Sequence, residues 1–131
     1  MRKTVLLIFA AALVALPATA PNAGEARAAK KGTVHEVIMG GGPIAVLWTF
    51  EPDDLDIAKK DRIAWSNPTS TTHHVTFYDS PVEDSLHVPS GGASVKRFKK
   101  PGEYFYRCDI NTHSYMVGDE CVGMCGRFTV E

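Results

Sequence analysis

From about residue 29 onwards, no stretch of this chain holds a convincing helical period. Short apolar or alternating runs recur instead, each bounded by Gly, Pro, Asn or Asp, the pattern of strands joined by turns. Residues 33–39 alternate as a first strand, Gly40-Gly41-Gly42-Pro43 breaks it, and residues 44–50 resume as a second. Glu51-Pro52-Asp53-Asp54 is a turn by composition, and Leu55 and Ile57 then share one side of a short strand. Residues 62–65 follow, with Ile63 and Trp65 on one face by two-residue alternation. Residues 66–70 form a loop, and His73 to Tyr78 is a β-branched and aromatic strand. Residues 79–92 read as a long surface connection with one turn of helix over Val82 to Leu86. Residues 94–98, 103–107 and 127–130 supply the remaining strands. Seven or eight short strands predict an all-β sandwich or Greek-key barrel with Trp65 and Phe77 in its core. With 131 residues the chain has room for one such domain and not two.

The N-terminal stretch is set apart from that pattern. Met1-Arg2-Lys3 is basic, and Val5 to Leu16 is an almost unbroken apolar run too short to span a bilayer, followed by small residues. This predicts a secretory signal peptide over residues 1–28, with cleavage after Ala28 or at Ala18-Thr19-Ala20, where Pro21 would hinder it. An uncleaved N-terminal membrane anchor is the competing reading. Residues 29–131 are then the folded domain of an exported, periplasmic or otherwise extracytoplasmic protein. A net charge of −1 with both signs mixed gives no basic surface for nucleic acid.

Three cysteines leave one unmatched under any pairing, which in an exported chain marks a reactive or metal-bound thiol. Cys108 stands at the end of the aromatic strand Tyr104-Phe105-Tyr106, and His113 follows on the next loop. Met116 and Met124 open two M-x-G-x-x-x-V units spaced by eight. A thiolate, an imidazole and a thioether from one loop are the soft and borderline donors of copper, and a second imidazole would complete a His₂Cys trigonal site with a weak axial Met. His73 and His74 lie far upstream and face opposite ways in a strand, so regular geometry allows only one of them at the metal. His35 and His87 have no motif around them and are expected to be solvated.

Four ordered blocks resemble the blue-copper (cupredoxin) family that includes plastocyanin, amicyanin and pseudoazurin. These blocks are FEPDDLDIAKKDRIAWSN, HHVTF, SVKRFKKPGEYFYRC and GMCGRFTV, and the resemblance covers roughly residues 33 to 131. The resemblance implies a single-domain Greek-key β-sandwich holding one mononuclear copper. It aligns His73 with the first ligand and His74 with an Asn that ties the ligand loops together. Cys108 and His113 match the next two ligands. Met124 has the better distance to the final strand and is the expected axial ligand; Met116, at the better distance from His113, is the alternative. The other methionine is expected to pack against the site. For Cys121 and Cys125 a disulfide clipping the enlarged loop is the simplest reading in an exported protein. A binuclear purple copper site would need a histidine four residues after Cys125, where Thr129 stands. Metal-stabilised free thiols are the third possibility.

The resemblance further implies an electron carrier that cycles between Cu(I) and Cu(II) and docks transiently on redox proteins such as a cytochrome or a copper enzyme. The edge of His113 would be presented amid an apolar patch including Tyr115 and Pro43. No catalytic residues, no small-molecule substrate and a monomer are expected. A copper oxidase or reductase would need further ligands, usually His-x-His pairs, and the chain has none. A module that stores, delivers or senses copper, and a metal-free structural domain, are the remaining rivals.

Overall fold

The computed structural model describes residues 31–41 and 48–131. The expected signal peptide, Pro43 and most of the expected strand over 44–50 lie outside these described residues. Eleven strands are present among the described residues: β1 (Val34–Gly40), β2 (Thr49–Glu51), β3 (Asp54–Ile57), β4 (Arg62–Ser66), β5 (His73–Tyr78), β6 (Ser85–Val88), β7 (Ala93–Arg97), β8 (Gly102–Arg107), β9 (Ser114–Val117), β10 (Glu120–Gly123) and β11 (Cys125–Val130). One sheet has the order β2-β1-β4-β7 and the other β3-β11-β8-β5-β6, while β9 and β10 form a separate two-stranded hairpin. The all-β sandwich expected from the sequence is what the chain forms.

Alternation decides which side chains enter the core. Ile63 and Trp65 of β4, Val75 and Phe77 of β5, Tyr104 and Tyr106 of β8, and Phe128 and Val130 of β11 are all buried. Their rings interlock. Tyr104 stacks on Phe128 with centroids 4.7 Å apart, and Trp65 meets Tyr106 edge-on at 5.6 Å. Gly126 pairs across the sheet with Tyr106, whose ring lies where any Cβ at position 126 would sit.

Two regions differ from the sequence expectation. The helical turn over Val82 to Leu86 is not formed. Ser85–Val88 is instead an edge strand on β5, because alternation buries Val88 opposite His73 while Ser85 and His87 face solvent. The loop after His113 carries the β9–β10 hairpin, closed by the two-residue turn Gly118-Asp119 with Gly118 at φ 61°, a left-handed conformation that glycine adopts without steric cost. These additions raise the strand count above the expected seven or eight.

Candidate metal centre

Three buried donors converge at one end of the sandwich. His73 opens β5, Cys108 directly follows β8, and His113 precedes β9. His73 and Cys108 are fully buried, and His113 is 6% exposed. The Nδ1 atoms of the two imidazoles are 3.2 Å apart, and the Cys108 Sγ lies 3.3 Å from His113 Nδ1 and 3.8 Å from His73 Nδ1. Donors 3–4 Å apart suit ligands each about 2 Å from a single ion. The donor set and its spacing therefore fit one copper. His74, the neighbour in register, points away, as strand alternation requires.

Backbone bonds hold the cluster in place. Cys108 N donates to Met124 O at 3.0 Å, Met124 N donates to His113 O at 2.8 Å, and Ser114 Oγ donates to Cys108 O at 2.6 Å. Met124 is thereby pinned between the two loop ligands with its side chain fully buried, whereas Met116 lies on β9 and is 37% exposed. Cys121 and Cys125 are joined by a disulfide with sulfurs 2.02 Å apart, tying β10 to β11 across Met124.

The surrounding shell sets protonation and orientation. Asn67 is buried, and its amide donates to Thr71 O at 2.8 Å and Val88 O at 3.0 Å. Its Oδ1 accepts from Thr69 N and, at 2.6 Å, from the Thr69 hydroxyl. With its proton spent on Asn67, the hydroxyl can only accept from His73 Nε2, 3.0 Å away. The proton of His73 is thus on Nε2, and the Nδ1 lone pair faces Cys108 and His113. Burial, then the nearby His113 and His74, lower the His73 pKa to about 4, and burial also lowers that of His113. Both shifts favour the neutral imidazole, the form that binds a metal. Burial pushes the Cys108 thiol up, opposed by backbone N–H groups of His74 and Ile110. The bond from His74 N to Cys108 Sγ is 3.3 Å.

His74 also links the two ligand segments. Its Nδ1 lies 2.8 Å from Asp109 Oδ1, the tie for which the resemblance implies an Asn. His35 is not simply solvated: its Nε2 is 2.9 Å from Asp61 Oδ2. Two features escaped the sequence reading. Asn67-Pro68-Thr69 carries the Asx-turn signature that could have announced the shell around His73. Trp48 carries no such signal, yet its ring centroid lies 4.7 Å from that of His73 and 5.0 Å from that of His113.

A β-sandwich with a buried Cys-His-His cluster at one end defines a small metal-binding domain of copper type. No family model matches the chain. It is 31% identical over 120 residues to a chloroplastic plastocyanin of Oryza sativa subsp. indica, covering 82% of this chain and 71% of that one. It is 28% identical over 128 residues to the major chloroplastic plastocyanin isoform of Arabidopsis thaliana, covering 88% of this chain and 72% of that one. Among solved structures, a purple cupredoxin from Nitrosopumilus maritimus superposes with a TM-score of 0.57 at 20% identity, over 73% of this chain and 98% of the other. The chain belongs to the blue-copper (cupredoxin) family.

Proposed function

We propose that this protein is an exported electron carrier holding one mononuclear copper on His73, Cys108, His113 and an axial Met124, and that it is not an enzyme. The observation that carries this reading is the convergence of two imidazole Nδ1 atoms and one thiol sulfur in a buried cluster. Copper bound to such a set supplies one-electron chemistry between Cu(I) and Cu(II). The chain's own residues do the rest. Cys108 gives up its proton when the metal binds, since only the thiolate is a ligand. The His74 amide donates to the sulfur, and such hydrogen bonds help set the potential. His73 is locked by Thr69, and Met124 by its backbone bonds to Cys108 and His113. Ligands fixed this firmly by β5, β8 and β11 would move little when the charge of the site changes.

The exposed Tyr115, Met116 and Val117 of β9, just after His113, provide an apolar strip against which a redox protein partner could dock. Small transient interfaces suit redox encounters. Export is supported by the Cys121–Cys125 disulfide, a bond favoured in oxidising compartments, and by the apolar N-terminal run. The test is voltammetry of the copper-loaded protein together with electron exchange with a small cytochrome. A reversible wave and rapid exchange are expected. Tight copper binding with no reversible wave would instead favour storage or delivery of the metal.

A further inference from the structure

We propose that Trp48 is the gatekeeper of the copper site, sealing both imidazoles so that electrons, but not water or small ligands, reach the metal. The inference rests on the copper reading above. His73 and His113 come from the five-stranded sheet and its loop, but Trp48 immediately precedes β2 of the opposite sheet, where Thr49 pairs with Gly40. It reaches over the end of the sandwich, with its ring tilted 30° to that of His113 and 63° to that of His73. The imidazoles keep 6% and 0% exposure, while the indole is only partly buried, so the indole takes the solvent contact in their place.

A surface groove is lined by Trp48 together with Met39, Gly40, Pro68, Thr69 and Thr71. Thr69 is the residue bonded to His73, so the groove comes within one side chain of the site. Trp48 lines the groove and also lies against both imidazole rings. Metal sites that act on substrates keep a coordination position open to water or substrate. An indole cannot fill such a position, because its only polar atom is a donor N–H, but it can block the approach to it. It also keeps the surroundings apolar, and an apolar shell controls solvent access and hence potential. Its loss should favour the more highly charged Cu(II). Trp48 therefore commits the site to electron transfer and excludes ligand chemistry there.

The test titrates azide into the Cu(II)-loaded protein and its W48A, W48L and W48F variants, read by visible absorption and paramagnetic resonance. Wild type and W48F should keep their spectra unchanged. W48A should gain a saturable azide band and a shifted thiolate band, and its midpoint potential should fall; W48L serves in its place if W48A does not fold. In protein stripped of metal, nuclear Overhauser contacts should join the Trp48 indole to both imidazole rings. Wild type that takes azide as readily as W48A, folded W48A and W48L that both refuse it, or missing indole–imidazole contacts would each overturn the proposal. A wild-type protein with no thiolate-to-copper band would overturn the copper reading, and the Trp48 inference with it. A normal band accompanied by any of the other three results would remove the Trp48 inference alone.

Discussion

His73 shows how much of the site depends on a residue that is not a ligand. Thr69→Val removes the acceptor for the buried His73 Nε2–H, which should cost about 1–3 kcal/mol of stability. Losing an outer partner of this kind should weaken copper binding about 10–100-fold. Thr69→Ser keeps the hydroxyl and should restore both. Denaturant melts and competitive copper titration would check this; an unchanged affinity in Thr69→Val would remove Thr69 from the site. The axial position gives a second test. Met124→Leu should raise the midpoint potential, because an apolar axial residue disfavours Cu(II), whereas Met116→Leu should hardly move it. The opposite order, measured by voltammetry, would transfer the axial role to Met116. At this scale the sequence was most legible where chemistry is local. Cys108 and His113 lie on one loop, and strand alternation alone allowed only one of His73 and His74 to face the metal. Trp48 was illegible, because a tryptophan in an alternating run looks like core until the opposite sheet is seen to bring it over the imidazoles.

Strands with one buried face were read from their alternation, and those without one were missed. The β9–β10 hairpin satisfies its backbone by pairing with itself and leaves Tyr115, Met116 and Val117 exposed, so burial imposes no apolar alternation on it. Its one signal was the Gly118-Asp119 turn between two short runs. Strand β6 failed differently: four residues are too few to separate a helical period from a strand period, and only the docking of Val88 opposite His73 decides. The packing of β8 on β11 makes a prediction at this level. A Cβ at position 126 would overlap the buried Tyr106 ring, so Gly126→Ala should destabilise the fold by about 1–3 kcal/mol. A thermal melt matching wild type would show that the ring can move aside.

At the scale of the whole molecule, a cluster around Asp61 should make stability depend on pH. Asp61 accepts from Thr33 N at 2.8 Å and Ala58 N at 3.1 Å, with His35 Nε2 2.9 Å away, joining the start of β1 to the turn before β4. The hydrogen bond with His35 is the largest influence holding the Asp61 carboxyl below the ordinary aspartate range, ahead of the opposing effect of burial. A carboxyl whose pKa is lower in the folded state contributes stability that is complete above its unfolded pKa of about 4 and fades as the pH falls through the folded value. Melting temperature should therefore drop on acidification below that range, and less steeply in Asp61→Asn; identical acid profiles would exclude Asp61 as a source. The central claim is that the sandwich exists to hold a thiolate and two imidazoles on one copper. The visible spectrum of the copper-loaded protein tests this most directly when it is set beside that of Cys108→Ser. An intense sulfur-to-copper charge-transfer band is expected in the wild type and should vanish in the variant. A band that survives Cys108→Ser, or a wild type that binds Cu(II) without one, would contradict it.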